Sequence, residues 1–309
     1  MLMEKVLIIG SSGFLGSTIK KKLIQSNRFE VVEILGKNDL DVTDINLFES
    51  FVKNKNINTI INCAAFVGGI SFGYKYQKKL LEENAKIAIN IYNLAYKYKI
   101  KKIINPISNC VYPGSISEYS EELIFDGPPH ESVYFYAMSK RFLIDLSKSY
   151  YLNEDISSFN LIMSNMYGPN DHFNEDRSHA LGALVKKIYD AKLNKTNVEI
   201  WGSGNQEREW LYVEDGAEAI LRTLELKNGY QLFNVGVNKT ISIKDLANLI
   251  AKEIQYKGDF TFNLEKPEGV LKKSVNGSKG ETILKWKPKT DITIGIRETV
   301  KWYKVNNEE

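Results

Sequence analysis

The sequence predicts an α/β protein, in which a doubly wound parallel sheet is followed by a smaller mixed α/β region. Up to about residue 165, short runs of branched apolar residues alternate with helix-length amphipathic stretches, a pattern typical of a parallel sheet with helices on both faces. The first apolar run leads directly into a glycine-rich turn and a helical pattern. Beyond residue 165 the alternation loosens, with no repeat or low-complexity linker. We therefore expect one domain at 1–165, with returning segments at about 208–237, and a second at 166–309.

The composition is that of an ordinary globular protein. Its 309 residues are 43% hydrophobic and 26% charged, enough for a large core. The 41 basic and 38 acidic residues leave a net charge of +3, which gives no argument for nucleic acid or an acidic membrane surface. Two cysteines, Cys63 and Cys110, do not make a disulfide framework, and Cys and His are too few for a zinc cluster. No apolar run approaches the roughly 18 residues that span a bilayer. We expect a soluble, cytoplasmic protein without a metal.

The first strand and the turn after it predict a dinucleotide site. Residues 5–9 form a buried run, and the glycines of a G-x-x-G-x-x-G pattern follow at Gly10, Gly13 and Gly16. The first glycine permits a tight turn, the second lets backbone approach a pyrophosphate, and the third lets helix and strand pack closely. The pyrophosphate then lies at the positive end of the helix. The pattern indicates a Rossmann-type domain, with cofactor contacts expected from Gly10, Ser12, Gly13, Phe14, Leu15 and Gly16.

The end of the second strand, predicted at 30–35, bears on the choice of cofactor. An acidic residue there would bind the adenosine ribose 2′-hydroxyl and favour NAD(H). Gly36, Lys37 and Asn38 stand there instead. Lys37 favours NADP(H), because an ammonium can meet a 2′-phosphate; the alternative is a solvated turn lysine. We expect Asp41 and Val42 beside the adenine.

Further strands are predicted at 57–62, 103–107 and 159–163. Ligands of open α/β sheets bind at the carboxyl ends of strands, so the residues after each strand are candidates for the site. Small side chains at Ala64 and Ala65 would let backbone lie against the cofactor. Ser108 and Cys110 follow the next strand, and Asn165 and Met166 follow the third. Beyond these, we predict strands at 198–202, 208–215 and 231–235 and helices at 77–98, 181–191, 217–226 and 243–254.

Tyr136 and Lys140 lie four residues apart, on one face of a helix. A free phenol titrates near ~10 and is a weak acid at neutral pH. A nearby ammonium favours the phenolate, so the pair can act as a proton switch at a carbonyl. The alternative is a surface pair on an amphipathic helix.

Taken together, these residues resemble the extended short-chain dehydrogenase/reductase family, also called the NAD-dependent epimerase/dehydratase family. Within it, the chain looks most like the GDP-L-fucose synthase branch. The closer resemblance rests on motifs that occur in the same order: AAFVGGI at 64–70, CVYP at 110–113, YGPND at 167–171, SH at 178–179, WGSG at 201–204 and RE at 208–209. The resemblance covers almost the whole chain.

The resemblance implies roles for the residues around the sugar. Ser108 would hydrogen-bond the substrate carbonyl region, Tyr136 would donate a proton to O4 as hydride reaches C4, and Lys140 would hold the cofactor ribose and lower the pKa of Tyr136. Cys110 and His179 would act as the base and acid that invert C3 and C5; His179 would also line the cofactor site. Without the resemblance, Cys110 reads as a small buried hydrophobe and His179 as a loop histidine.

The same resemblance implies a binding site for a sugar nucleotide. Asn165, Lys187, Trp201, Arg208 and Glu268 match substrate-side positions, since an Arg beside an aromatic ring suits phosphate and base recognition; the alternative for Trp201 is a core residue. The segments 131–135 and 268–273 depart from the usual pattern, which leaves the sugar open between a 6-deoxyhexose and a heptose.

We therefore expect NADPH-dependent reduction at C4 of a GDP-linked 4-keto sugar, with C3/C5 epimerisation, in surface-glycan synthesis. Two alternatives stay open: a C4-reductase that acts on a GDP-4-keto-heptose without epimerisation, and a non-catalytic dinucleotide-sensing protein. The resemblance also implies a homodimer, through the helices near 80–98 and 136–151.

Overall fold

The computed structural model describes residues 3–174, 178, 180–266 and 270–307, with the backbone alone at 70 and 307. Three short 3₁₀ turns lie at Asn109–Val111, Glu121–Leu123 and Glu131–Val133. In chain order the other elements are β1 (Glu4–Ile9), α1 (Phe14–Ser26), β2 (Phe29–Ile34), α2 (Ile45–Val52), β3 (Thr59–Asn62), α3 (Ile70–Lys75), α4 (Gln77–Lys97), β4 (Lys102–Ser108), β5 (Glu118–Tyr119), α5 (Tyr134–Glu154), β6 (Ser157–Met163), β7 (Asn165–Tyr167), α6 (Ala180–Asn194), β8 (Val198–Trp201), β9 (Glu207–Tyr212), α7 (Val213–Leu224), β10 (Tyr230–Val235), β11 (Thr240–Ser242), α8 (Ile243–Ile254), β12 (Phe260–Asn263), β13 (Lys272–Val275), α9 (Ser278–Leu284) and α10 (Ile292–Asn307).

A six-stranded parallel sheet forms the centre of the fold, in the order β10-β6-β4-β3-β1-β2. The predicted fold class is thereby confirmed. The chain runs outwards from β1 in one direction to β2 and in the other to β3, β4 and β6. Because the strands are parallel, their carboxyl ends meet at one edge, and the switch point between β1 and β3 opens a crevice there.

The strands of this sheet carry apolar runs because helices cover both of its faces. Along β1, Leu7 and Ile9 pack into the cluster beneath α2, α4 and α5, whereas Val6 and Ile8 pack into the cluster beneath α1 and α7. Successive side chains of a strand point to opposite faces. A strand buried on both faces therefore has the continuous apolar run from which it was predicted.

A second, mixed sheet lies beside the central one. Its order is β11-β9-β13-β5, with β7 also paired to β9. A parallel pair of β8 and β12 and the helices α6, α8 and α10 enclose a third apolar cluster. Of the predicted returning segment, β10 joins the central sheet and β9 the mixed one; the division at residue 165 stays a prediction.

Some element boundaries differ from the predicted ones. The helix expected at 217–226 begins earlier, at Val213. It follows β9 directly, and no side chain caps its first turn. The loop expected at 66–70 ends in the short helix α3. The short strands β5, β7, β11, β12 and β13 and the helices α9 and α10 were not predicted. Among the residues that the structure describes, no helix is long and apolar enough to cross a membrane.

Candidate active site

The glycine-rich turn after β1 leaves the first turn of α1 open to an anion. Gly10 has a φ of +82°, and the Ile34 carbonyl accepts its N–H at 2.8 Å. A Cβ added at Gly16 would lie 2.1 Å from the Gly10 carbonyl oxygen, so only glycine lets helix and turn approach so closely. Gly13 caps the helix without a side-chain hydrogen bond. The N-terminus of α1 therefore suits a pyrophosphate.

The other predicted residues of this turn face different ways. The hydroxyl of Ser12 donates to the Leu35 carbonyl at 2.7 Å, which ties the turn to the end of β2. Leu15 is buried in the cluster beneath α1, with Phe14 partly buried against it. These two side chains pack α1 against the rest of the fold.

Lys37 lies just after β2 and forms ion pairs with two carboxylates. Its ammonium is 3.1 Å from Glu83 and 3.4 Å from Asp41, and the bond to Glu83 raises the pKa of Lys37. The next residue, Val42, is buried, and its carbonyl accepts from the Asn90 amide at 2.9 Å. Lys37 therefore lies beside Asp41 and Glu83, with 57% of its side chain exposed.

The loop after β3 closes over the glycine-rich turn. A Cβ at Gly10 would lie 3.1 Å from the backbone nitrogen of Ala64, so this loop is in contact with the turn; the expected cofactor contact of Ala64 and Ala65 stays a prediction. Asn84 clamps the loop: its Oδ1 accepts from the Phe66 N–H at 3.0 Å and its Nδ2 donates to the Phe66 carbonyl at 2.9 Å. The amphipathic pattern of α4 gave no sign of this role for Asn84.

Ser108 and Cys110 lie together at the carboxyl end of β4. The strand ends at Ser108, and a 3₁₀ turn folds the chain back so that the Cys110 N–H donates to the Ser108 Oγ at 3.3 Å. Cys110 is buried. The structure therefore presents a hydroxyl and a thiol from one turn, at the sheet edge where the sequence predicted them.

Tyr136 and Lys140 share one face of α5, as their spacing predicted. The Lys140 ammonium lies 5.5 Å from the centroid of the Tyr136 ring. Burial lowers the pKa of Lys140 to about 8, against the opposing effects of the Cys110 and Cys63 thiols. Burial raises the pKa of Tyr136, and the nearby Cys110 raises it further. The expectation that Lys140 lowers the pKa of Tyr136 is therefore not met in the protein alone: desolvation dominates, and Tyr136 remains a phenol that can donate a proton.

The thiol of Cys110 is buried, and the charges of two lysines act on it. Burial raises its pKa, while the hydrogen bond from Ser108 and then the charges of Lys273 and Lys140 oppose the rise. Lys273, on β13, stands opposite Arg208 of β9 in the strand register. The Arg208 guanidinium donates to the Glu207 carbonyl at 2.7 Å. The predicted Arg208 thus lies beside Lys273, a residue whose position next to it was not predicted.

Two lysines flank the ring of Trp201 at the end of β8. Lys187 lies 5.1 Å and Lys266 lies 5.5 Å from the ring, which is within the range of a cation–π contact. Trp201 is 45% exposed, so the alternative of a core residue is wrong. The structure brings the predicted Lys187 and Trp201 together and adds Lys266 to them.

Asn165 and Met166 begin β7, which follows β6 and pairs with β9 of the mixed sheet. The Asn165 Nδ2 donates to the Glu209 carbonyl at 3.2 Å, and a Cβ at Gly216 would lie 3.2 Å from the Met166 sulfur. Both side chains are partly buried. Two predicted residues, His179 and Glu268, lie outside the described residues.

Comparisons with known proteins agree with this fold. Residues 6–236 match the NAD dependent epimerase/dehydratase family. The chain is 32% identical to putative GDP-L-fucose synthase 2 of Arabidopsis thaliana over 304 residues, covering 98% of this chain and 92% of the relative. It is 32% identical to GDP-L-colitose synthase of Yersinia pseudotuberculosis over 308 residues, covering 97% of each. The crystal structure of a GDP-L-fucose synthetase from Naegleria fowleri bound to NADP matches with a TM-score of 0.89 at 29% identity, covering 99% of this chain and 94% of that one. The chain belongs to the NAD-dependent epimerase/dehydratase family of enzymes.

Proposed function

We propose that this protein reduces the C4 carbonyl of a GDP-linked 4-keto sugar with NADP(H) and also epimerises C3 and C5. The observation that carries the proposal is the group formed by Ser108, Cys110, Tyr136 and Lys140 at the carboxyl end of β4. This group of side chains combines a neutral phenol, a buried cation and a thiol. Reduction of a ketone with inversion at the carbons next to it requires such groups.

The glycine-rich turn and Lys37 support NADP(H) as the cofactor. The open N-terminus of α1 suits the pyrophosphate, and Lys37 beside Asp41 suits the 2′-phosphate end. The relative from Naegleria fowleri, 29% identical, binds NADP. When bound, NADPH supplies the hydride for C4, while the protein orients the ribose through Lys140.

In the reduction, Tyr136 passes its phenol proton to O4 as C4 accepts hydride. The Ser108 hydroxyl donates a hydrogen bond to the same oxygen and orients the carbonyl. The Lys140 ammonium stabilises the phenolate that remains until it is reprotonated from solvent. The raised pKa of Tyr136 suits this order of events, because the group must start as an acid.

In the epimerisation, the protons of C3 and C5 are acidic because both carbons are next to the C4 carbonyl. The Cys110 sulfur takes the proton, the C–H electron pair becomes the double bond of an enolate, and the carbonyl π pair moves to O4. His179 returns a proton to the other face. The enolate charge at O4 is stabilised by Ser108 and Tyr136.

The sugar nucleotide is proposed to bind across the mixed sheet. Trp201 offers an exposed ring to the base, with Lys187 and Lys266 beside it for phosphate, and Arg208, Asn165 and Glu268 complete the site. The relatives are named as synthases of GDP-L-fucose and GDP-L-colitose, which supports GDP as the nucleotide. We propose that the enzyme works as a cytoplasmic homodimer and supplies sugar nucleotides for surface glycans.

The test is NADPH oxidation by the purified protein with GDP-4-keto-6-deoxymannose. Tyr136→Phe should lower kcat about 100-fold or more and leave NADPH binding intact, whereas Tyr134→Phe, an exposed ring on the same helix, should not change kcat. No oxidation with any GDP-4-keto-deoxy sugar or heptose would refute the proposal. Unchanged turnover in Tyr136→Phe would refute the role of the phenol.

A further inference from the structure

Arg141 is a buried arginine to which the proposed reaction gives no role. It follows Lys140 on α5 and is 7% exposed. Its Nε donates a hydrogen bond to the Val111 carbonyl oxygen at 2.8 Å. This carbonyl ends the 3₁₀ turn Asn109–Val111, directly after the proposed base Cys110. Arg141 therefore ties α5, which carries the proposed proton donor, to the turn that carries the thiol.

Packing alone does not account for a guanidinium at this position. Among the residues that the structure describes, the Nη2 of Arg141 is buried and has no hydrogen-bond acceptor. The ring of Phe125 lies 5.6 Å from the guanidinium carbon, as a cation–π neighbour. Burial of a charged group whose hydrogen bonds are incomplete costs free energy, and an apolar side chain of similar length would avoid that cost. The hydrogen bond to the turn is therefore the feature that distinguishes arginine from such a side chain.

The two ends of the turn are fixed independently of Arg141. Ser108 is the last residue of β4 and is still paired with β6, so the sheet holds its backbone. Beyond the turn, the Tyr112 hydroxyl donates to the Asn234 Oδ1 at 2.7 Å. Cys110 lies between these two anchors, outside the ladder of the sheet. The hydrogen bond from Arg141 thus acts on the part of the turn that the sheet does not hold.

We infer that Arg141 is a positioning residue, whose hydrogen bond to the Val111 carbonyl holds the Cys110 sulfur in place relative to the reacting groups of α5. The inference rests on the proposed function for the reaction that the thiol serves; the effect of the hydrogen bond on the turn does not depend on it. Arg141 exchanges no proton with the substrate. Without its hydrogen bond, Cys110 should lose its position more than Ser108 does, because β4 still holds Ser108. Proton exchange at C3 and C5 should therefore fall, while hydride transfer to C4 persists.

The test compares Arg141→Met with Arg141→Gln by hydrogen–deuterium exchange of the backbone amides, measured by mass spectrometry. The amide nitrogen of glutamine is as many bonds from Cα as the arginine Nε, so glutamine keeps an N–H donor there without the charge, whereas methionine has a similar length and no donor. In Arg141→Met, peptides that cover residues 109–113 should exchange about tenfold faster, as expected for the loss of one charge-assisted hydrogen bond. Arg141→Gln should restore the slow exchange. Lys148→Met, at an exposed position of α5, is the matched control and should leave it unchanged.

The products of turnover then show whether the position of the thiol matters for the reaction. With GDP-4-keto-6-deoxymannose and NADPH in heavy water, Arg141→Met should form the product with deuterium at C3 and C5 about tenfold more slowly, and reduced sugar without deuterium should become the larger share. Unchanged amide exchange at 109–113, an equal loss in Arg141→Gln, or an equal fall of both products would overturn the inference. Faster exchange at 109–113 in Arg141→Met, with no reduction of any 4-keto sugar by the unmodified protein, would retain the role of Arg141 in holding the turn and refute the proposed function.

Discussion

Lys140 is a charged residue in a place where a neutral one would make the fold more stable. It is 5% exposed, and burial lowers its pKa to about 8 from an ordinary value near ~10.4. The unfolded chain therefore binds its proton more tightly than the folded protein does. Lys140 therefore lowers the free energy of unfolding by its full amount below pH 8, and this effect disappears as the pH rises towards 10.4.

Lys140→Met should consequently stabilise the protein while abolishing turnover. At pH 7 the free energy of unfolding should rise by roughly 1–3 kcal/mol, because the buried ammonium is gone, and the gain should shrink as the pH is raised above 8. Denaturant titrations across this pH range measure it. Lys148→Met, at an exposed position of the same helix, should show no gain, and a gain in Lys140→Met that grows with pH would contradict the account.

At the scale of elements, the packing of α1 against the turn after β1 requires a residue without a side chain at position 16. The Gly10 carbonyl lies where a Cβ of Gly16 would be, at 2.1 Å, and backbone cannot move aside cheaply. The helix N-terminus that is proposed to bind the pyrophosphate therefore keeps its position only with glycine there.

Gly16→Ala should lower the free energy of unfolding by about 1–3 kcal/mol, as overpacking does, and weaken NADPH binding because α1 is displaced. Chemical denaturation and a fluorescence titration with NADPH measure the two effects. Gly36→Ala serves as the control for stability, since its Cβ would meet only the Ser12 hydroxyl, at 3.7 Å. Normal stability and NADPH affinity in Gly16→Ala would refute this role of the packing.

The elements that the sequence predicted are those whose own residues carry a strong pattern. The buried runs at 6–9 of β1 and 60–61 of β3 are covered on both faces and are therefore apolar. By contrast, β13 reads Lys-Lys-Ser-Val and β5 reads Glu-Tyr, and neither has a local signal. They form because they pair with each other across more than half of the chain, which no short window of sequence indicates.

The same contrast between local patterns and long-range pairing decides which residues of the candidate site the sequence could predict. Ser108, Cys110, Tyr136 and Lys140 could be predicted, because the end of a strand and the spacing along a helix are local features. The position of Lys273 opposite Arg208 could not, because it depends on the register of β13 on β9. Lys266 likewise reaches Trp201 from a different strand–loop segment.

At the scale of the molecule, α4 and α5 present an unpartnered apolar surface. Leu81, Ile89 and Tyr96 of α4 and Phe142 of α5 are all exposed, while the opposite faces of both helices pack on the central sheet. Apolar side chains shared by two adjacent helices suit a two-fold interface with a second copy of the chain.

The double variant Ile89→Glu, Phe142→Glu should therefore be monomeric, because charge on this surface opposes its burial. Light scattering should give twice 35.3 kDa for the unmodified protein and half of that for the variant. Leu193→Glu, at an exposed position of α6, should remain a dimer. A monomeric unmodified protein would refute the proposed homodimer.

The central claim is that one site both inverts C3 and C5 and reduces C4. The direct measurement is the reaction of GDP-4-keto-6-deoxymannose with NADPH in heavy water, followed by NMR of the product sugar. Epimerisation must exchange the protons of C3 and C5 with solvent, so the account predicts a fucose-configured product with deuterium at both carbons. Reduction without exchange would contradict it and leave a C4-reductase, in which Cys110 has no role as a base.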